Sequence, residues 1–463
     1  MKKLQSSVIQ DLLQAALRNH QAWQLTEAEG FYQQVLAIDP HHPDTLHLLG
    51  MIAFQTGRDV AAVELIRRAI AIKGDAASYH SNLGNVLQSL GQLAEAGACY
   101  QRALLLKPDL AEVHLNLGNI FKAQGDLDSA LTCYRRALAL NPELAEAAVA
   151  ESMALLLKGG FSSGWEGFER RWETKEYDTQ ARHYPWPLWM GEPLASGRLL
   201  LWGEQGIGDE IMFAGLVPDA LRSGSRCVLD CDPRLKPLFA RSFPGVDVVS
   251  GLAPAGHADL GIAAHLPAGS LPGLFRTSMA AFAATTSPYL VADPAVQASI
   301  RARYADGRKL IGLAWHTRNK KTERIRSIDL SLLAPLFTRL DVRWISLQYG
   351  DHDKLERQAA AADASILIDP EVDQLSNVDG FAAQVAAMDL VITIDNSTAH
   401  LAAALGVPTW VLLPFAPDWR WLQTGEDSLW YPTMRIFRQT EPEDWQSVVR
   451  RVEGALSSVE KML

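Results

Sequence analysis

The chain has 463 residues, 48% of them hydrophobic and 21% charged, with a net charge of −10. That length implies two or three folded domains, and the acidic balance excludes a general binder of nucleic acid or anionic membrane. No stretch approaches the ~18 apolar residues of a membrane span, and charged residues interrupt the opening MKKLQSSVIQDLLQAALRNHQ where a secretory signal needs an apolar core, so a soluble cytoplasmic protein is expected.

The first third of the chain repeats with a period of 34 residues. Gly50, Gly84 and Gly118 share one phase, and Gly57, Gly91, Gly125 and Gly159 a second. Ala69, Ala103 and Ala137 mark a third, and Tyr32, Ile66, Tyr100, Tyr134 and Phe168 a fourth. Pro40, Pro108 and Pro142 fall on a fifth, with Gly74 in the gap. This is the signature of the tetratricopeptide repeat, two antiparallel helices per unit. Small residues let the helices approach, the aromatic fills the space between repeats, and glycine or proline ends each helix. Full repeats are expected at 9–42, 43–76, 77–110 and 111–144, and a degenerate fifth at 145–176 caps a solenoid spanning 1–176. Asn82 and Asn116 share one phase of the inner helix, where an amide can pair with an extended peptide. The pair resembles a short form of the asparagine ladder in the eukaryotic O-GlcNAc transferase superhelix. Solvent-facing helix polarity explains it equally well.

A linker is expected at 177–196. From there apolar runs alternate with helical patterns. Strands are expected at 198–203, 226–231, 246–250, 258–263, 309–315, 342–348, 365–369, 389–395 and 409–414. Helices are expected at 209–223, 330–340, 380–388 and 397–405, with a loop-rich edge at 264–290 and an amphipathic helix at 443–463. The alternation predicts parallel sheets covered on both faces, as two doubly wound domains over 197–300 and 301–463, with ligands at the carboxyl ends of their strands. The cysteines, Cys99, Cys133, Cys227 and Cys231, have no zinc-type spacing and read as buried thiols.

Three stretches carry candidate chemistry. In Gly203-Glu204-Gln205-Gly206-Ile207-Gly208-Asp209 an apolar strand ends in glycines that allow a sharp turn and close approach, with an acid at the helix start. A simple N-cap acid is the plain alternative. In Asp395-Asn396-Ser397-Thr398-Ala399-His400 hydroxyls and free N–H groups open a helix, an arrangement that binds anions. An ordinary capping turn would look the same. The loop from Trp315 to Ser327 carries Arg318, Lys320, Lys321, Arg324 and Arg326 against the single acid Glu323, after a strand. It reads as a phosphate site or as a solvated basic loop. An acid on one lobe with cations and a helix start on the other suits transfer from a phosphate-activated donor, the acid taking the acceptor's proton.

The block Glu204-Gln205-Gly206-Ile207-Gly208-Asp209-Glu210 resembles the motif of bacterial tetratricopeptide-containing glycosyltransferases. These are relatives of the heptosyltransferase family (glycosyltransferase family 9), which has the GT-B fold. The stretches 395–408, Trp344-Ile345-Ser346-Leu347-Gln348, Pro417-Asp418-Trp419-Arg420-Trp421 and Ser428-Leu429-Trp430-Tyr431-Pro432 also match, as do Pro233-Arg234-Leu235 and Arg241-Ser242-Phe243-Pro244. The resemblance implies Asp209 as catalytic base. It implies a donor site drawn from Gly206, Gly208, His316, Gln348, Asp395, Asn396, Ser397, Thr398 and His400, with Lys320, Lys321, Arg324 or Arg326 on phosphate. Where that family has Asp-Thr-Gly or a similar small pair, this chain has Asp395-Asn396-Ser397. Some relatives with this domain pair glycosylate flagellin, so the resemblance implies a flagellin-like protein acceptor, selected by the repeats.

The expected activity is therefore metal-independent and inverting transfer of a sugar from a nucleotide-sugar substrate to a protein, with no cofactor. Asp230-Cys231-Asp232 has the spacing of an acidic metal motif but stands in a strand of the first lobe. Two rival readings are transfer to a cell-surface glycan or glycolipid, and a non-catalytic repeat scaffold with a vestigial nucleotide-sugar site.

Overall fold

A computed structural model describes residues 2–175, 177, 181–251, 256, 260–285, 287–320 and 322–459. The chain separates into two compact units, Met1–Ala154 and Leu155–Leu463.

The first unit is built from antiparallel helix pairs: α1 (Lys2–Gln21) with α2 (Leu25–Ile38), α3 (Pro43–Gln55) with α4 (Asp59–Ile72), α5 (Ala77–Ser89) with α6 (Leu93–Leu106), and α7 (Ala111–Ala123) with α8 (Leu127–Leu140). The helix α9 (Ala145–Leu157) crosses the boundary between the units. Each phase of the repeat has a steric cause. A Cβ on Gly84 would lie 2.6 Å from the Tyr100 ring, and one on Gly118 would lie 2.5 Å from that of Tyr134. Gly57, Gly91 and Gly125 turn the first helix of a pair into the second at φ of 75°, 75° and 80°, in the left-handed region open to glycine. Tyr32, Ile66, Tyr100, Tyr134, Ala69, Ala103 and Ala137 are fully buried.

The second unit opens with α10 (Phe161–Phe168) and a 3-10 turn, Glu169–Glu173. In the second unit Trp165 and Phe168 of α10 join an aromatic cluster with Trp419 and Trp430, and the Trp165 indole donates to Arg276 O at 2.9 Å. The helix expected to finish a fifth repeat is thus held by the α/β region.

Two parallel sheets follow. Among the described residues the first comprises β1 (Arg198–Trp202), β2 (Cys227–Cys231), β3 (Asp247–Ser250) and β4 (Ile262–Pro267), in the order β3-β2-β1-β4. Its helices include α11 (Ile207–Ala214), α12 (Val217–Arg222), α13 (Lys236–Ser242) and α14 (Leu271–Phe275). After α15 (Pro294–Tyr304) comes the second sheet: β5 (Lys309–Ala314), β6 (Val342–Ser346), β7 (Ile366–Leu367), β8 (Leu390–Ile394), β9 (Thr409–Leu413) and β10 (Met434–Arg438), in the order β10-β9-β8-β5-β6-β7. Its helices are α16 (Glu323–Arg326), α17 (Ala334–Phe337), α18 (His352–Ala361), α19 (Val378–Ala386), α20 (Ser397–Ala404) and α21 (Trp445–Val459). β8 and β9 are buried along their whole length, as expected of strands covered on both faces.

In each sheet the strand order reverses once, between β1 and β4 and between β8 and β5. Loops diverge at such switch points and leave a crevice at the carboxyl ends. The loops at 203–209 and 268–270 leave the first, and those at 315–327 and 395–400 leave the second.

Several expectations are corrected. The last strand of the first sheet runs Ile262–Pro267, not 258–263, and 257–259 lie outside the described residues. Pro267 ends an edge strand, where no ladder donor is missed. The helix expected at 209–223 breaks at Gly215 and Leu216, because Pro218 starts a new first turn in α12. β10, absent from the expected strands, pairs with β9. The stretch expected as a linker is packed where it is described. Trp189 is buried, its N–H donates to His265 O at 2.9 Å, and His265 N–H donates to Pro187 O at 3.0 Å. Val448, Val449, Val452 and Leu456 of α21 enter the core over the second sheet. Among the described residues no helix is long and apolar enough to cross a membrane.

Candidate functional site

The turn after β1 is set by a buried acid, Glu204, and a half-buried one, Glu210, that a reading of spacing passes over. Glu204 accepts from Arg171 Nε at 2.9 Å, from Arg171 Nη2 at 2.8 Å and from Gly269 N–H at 2.8 Å. It thereby ties the loops after β1 and β4 together. Glu210, one residue beyond Asp209, accepts from Asp232 N–H at 2.9 Å. Its carboxyl packs so closely on the backbone that a Cβ on Gly203 would collide with it. Burial pushes its pKa up to about 7, with Asp232 and Asp230 adding to the rise. Cys227 and Cys231 are buried and their thiols are pushed up by burial. Among the described residues no cluster of three His, Cys, Asp or Glu side chains stands where it could hold a metal ion. Asp230 pairs with Arg182, and Asp232 with Arg234.

Asp209 sits at the third position of α11. Its Oδ2 accepts from Gly206 N–H at 3.2 Å, closing the turn as a cap would. Its Oδ1 accepts from Arg420, which lies on the 3-10 turn Trp419–Trp421 beyond β9. Arg420 also donates to Asp418. Asp418 lies 3.3 Å from Arg326 Nη2, and Arg326 Nη1 lies 3.1 Å from Asp395 Oδ2. An alternating chain of acids and guanidiniums thus runs from the switch point of one sheet to that of the other. Arg420 lies 4.4 Å over the Trp419 ring, and its pKa is raised because Asp209, Asp418 and Asp395 outweigh burial. Burial raises Asp395 against the pull of Arg326. At Asp418 burial acts the same way, but Arg420 and Arg326 outweigh it and the net direction is down.

Gly208 lets α11 and α20 abut at their N-termini: a Cβ there would lie 3.2 Å from His400 Cδ2 and 3.3 Å from Ser397 Cα. At the start of α20 the Asn396 carboxamide accepts from Thr398 N–H at 3.0 Å, Ala399 N–H at 3.3 Å and the Thr393 hydroxyl at 3.0 Å. Two of the helix-start donors are therefore occupied by the cap. Asn396 Nδ2 and Thr398 Oγ1 are buried without a hydrogen-bond partner among the described residues. His400 stacks on Trp421 at 5.3 Å, with Nδ1 3.0 Å from the Tyr431 hydroxyl. Burial, with Arg420 nearby, lowers its pKa to about 3, so the ring is neutral at physiological pH.

The basic loop divides in two. Arg326 points into the ion-pair chain, whereas Lys320 and Arg324 are exposed; Lys321 lies outside the described residues. His316 Nε2 lies 2.9 Å from Glu323 Oε1. Gln348 is buried and spent on backbone: it accepts from Trp315 and His316 N–H at 3.0 and 2.8 Å and donates to His316 and Tyr349 carbonyls at 3.1 Å. It shapes the loop from beneath. The structure thus gathers Asp209, Gly208, Arg326, Asp395 and His400, adds Arg420 and Asp418, and leaves Lys320 and Arg324 facing solvent.

In the first unit, Asn82 Nδ2 donates to His47 Nε2 at 2.8 Å and Asn116 Nδ2 to Asn85 Oδ1 at 3.0 Å. Each asparagine is joined to the preceding repeat. His47 stacks on Tyr79 at 4.4 Å, and burial lowers its pKa to about 4, consistent with a ring nitrogen that accepts.

Residues 20–85 and 75–143 each match a tetratricopeptide-repeat family model. The chain is 32% identical over 329 residues to Protein FlbA of Caulobacter vibrioides, a match covering 66% of this chain and 54% of that protein. A match of that length extends beyond the repeats into the α/β region. The UDP-N-acetylglucosamine--peptide N-acetylglucosaminyltransferase of Caenorhabditis elegans is 36% identical over 91 residues, 20% of this chain and 8% of that one. The chain thus spans about half of FlbA and a small part of the nematode enzyme. Among solved structures, that of MamA aligns with 36% of this chain and 97% of its own at 22% identity and a TM-score of 0.32. The chain carries an N-terminal tetratricopeptide helical region followed by a parallel-sheet α/β region.

Proposed function

We propose that this chain is a glycosyltransferase that moves a sugar from a nucleotide-sugar donor to a protein acceptor selected by the repeats. In this reading the lobes 197–300 and 301–463 form a GT-B pair related to the heptosyltransferases, acceptor side and donor side respectively. They follow the repeat region 1–176 through 177–196. The observation that carries the reading is the convergence of Asp209, at the switch point of one parallel sheet, with Arg326 and Asp395 at that of the other, through Arg420 and Asp418. One carboxylate facing half-buried guanidiniums is what proton removal at an acceptor and charge stabilisation at a leaving phosphate require.

Asp209 takes the proton of the acceptor nucleophile as it attacks the anomeric carbon. The bond from that carbon to the phosphate oxygen breaks, and the nucleotide leaves with the electron pair. Arg326, with exposed Lys320 or Arg324 or with Lys321 of the same loop, stabilises that charge. The free donors of Ser397, Thr398 and Asn396 at the α20 start bind phosphate oxygens. Neutral His400 offers a hydrogen bond rather than a charge. Gly206 and Gly208 let the backbone close on donor and acceptor, and Gln348 and His316 hold the loop under the donor. One base and a direct displacement suit inversion without a metal. Asn82 and Asn116 contact the acceptor chain through their remaining amide capacity, and a flagellin-like protein is one such acceptor. The nematode relative is by its name a peptide glycosyltransferase, but the match is confined to repeats. It supports protein recognition, and the chemistry rests on the site.

The test is a thermal-shift and calorimetric screen of nucleotides and nucleotide sugars against the wild type, Asp395→Ala and Lys321→Ala. A nucleotide that stabilises the wild type and not the variants supports the reading, since a ligand bound only to the folded state raises its stability. No binding across a wide panel shifts the weight to a scaffold.

A further inference from the structure

We propose that Arg420 is a donor-phosphate ligand, and that the same guanidinium latches Asp209 until a bound phosphate releases it. The proposal rests on the transferase reading for its substrate and assigns that site a residue and a switch.

The geometry makes the Asp209–Arg420 pair separable. Asp418 and Arg420 belong to one turn, with the Asp418 carboxylate also accepting from Arg420 N–H at 3.3 Å. That contact is local and survives any movement of one sheet against the other. Asp209 comes from the opposite sheet and reaches Arg420 across 211 residues of sequence. Among the described residues the Asp209 carboxylate has two hydrogen-bond partners, Gly206 N–H on one oxygen and Arg420 on the other. A base must present a lone pair to the acceptor proton, and the oxygen that faces the second sheet is the one Arg420 holds.

The charges explain why phosphate would win. Asp209, Asp418 and Asp395 share Arg420 and Arg326, one acid more than the guanidiniums can neutralise. A half-buried ion pair of this kind contributes little net stability. A planar fork stacked on Trp419 is preorganised for bidentate recognition of phosphate. A diphosphate carries more charge than one carboxylate and brings two sets of oxygens. It can take the Nη2 edge of Arg420 while Asp418 keeps Nη1, and Asp209 then turns free beside the bound donor. The base is thus exposed only when a donor is present.

Inorganic pyrophosphate is the probe, titrated by calorimetry into full-length wild type, Asp209→Asn, Arg420→Gln and Arg420→Lys, with circular dichroism confirming the fold of each. Asp209→Asn removes the competing charge and is expected to bind about tenfold tighter than wild type, the effect of about one competing ion pair. Arg420→Gln is expected to bind at least about tenfold more weakly, and Arg420→Lys, a point charge without the fork, to fall between. If Arg420→Gln does not fold, the Asp209→Asn titration alone decides. Pyrophosphate affinity in Asp209→Asn equal to or below wild type, or no binding by either protein at millimolar concentration, overturns the latch. The two readings part in a parallel assay of nucleotide-sugar turnover. Turnover by wild type with no tightening in Asp209→Asn refutes the latch and leaves the transferase. Tightening with no turnover of any donor refutes the transferase and leaves an anion latch.

Discussion

Arg171 and Glu204 form a bidentate ion pair from which water is excluded, with Nε 2.9 Å from Oε2 and Nη2 2.8 Å from Oε1 and both side chains fully buried. The guanidinium lies over the rings of Phe168 and Trp172, at 4.5 and 4.6 Å. The pair fixes the turn that carries Asp209 to the segment before the first strand. Breaking it leaves the buried cation with Glu169, 3.1 Å from Nη1, as its remaining carboxylate, at a cost of at most about 3–5 kcal/mol. Glu204→Gln should therefore lower the stability of the α/β unit by that order in denaturant unfolding followed by tryptophan fluorescence. Joint replacement by apolar residues, Arg171→Met with Glu204→Leu, should cost less than the single change.

Glu210 gives a pH signature. Its folded pKa, about 7, lies above the ordinary 4.5 because burial disfavours the charged form. The folded state holds a proton that the unfolded state has released, so this group's contribution is intact below about pH 4.5 and is lost as pH rises to about 7. Glu210→Gln mimics the protonated form. It should stabilise the protein by about 2–3 kcal/mol near pH 8 and by almost nothing near pH 4. Melting curves of the two proteins at both ends of the range check it. Equal differences at both pH values would mean that folding leaves the Glu210 pKa unshifted.

The repeats answer to small volumes. Gly84→Ala and Gly118→Ala each push a methyl group into a tyrosine ring across the helix pair. Overpacking of this kind costs about 1–3 kcal/mol. Hydrogen exchange should show faster opening of α5–α8 in either variant. Gly30 has open space where a Cβ would stand, with nothing within 4 Å, and should tolerate alanine.

Much of this architecture is written in local chemistry. The repeat phases are readable because a glycine facing an aromatic recurs wherever two helices must touch. The loops at 203–209, 315–327 and 395–400 are readable because each follows an apolar strand, and parallel topology brings such ends together. Arg420 is a different matter. It stands in a tryptophan-rich turn without periodicity, and only its match to a family motif marked the turn. Its pairing with Asp209 is a consequence of tertiary structure alone. Glu204 and Glu210 look like loop acids in sequence, and only burial distinguishes them from solvated ones. Gln348 has the residue type of a ligand contact, yet its amide is consumed by the backbone. The edge strand at 262–267 escaped because His265 and Pro267 break the apolar run.

In the proposed transferase, the α/β region transfers sugar and Asp209 removes the acceptor's proton. Release of nucleotide from a panel of nucleotide sugars, with and without added acceptor proteins, tests this most directly when wild type and Asp209→Asn are compared. Acceptor-stimulated release is expected from the wild type, with a loss of roughly 100-fold or more in Asp209→Asn, the scale of a missing general base, and with the fold intact. Release by Asp209→Asn at the wild-type rate would contradict that role for Asp209.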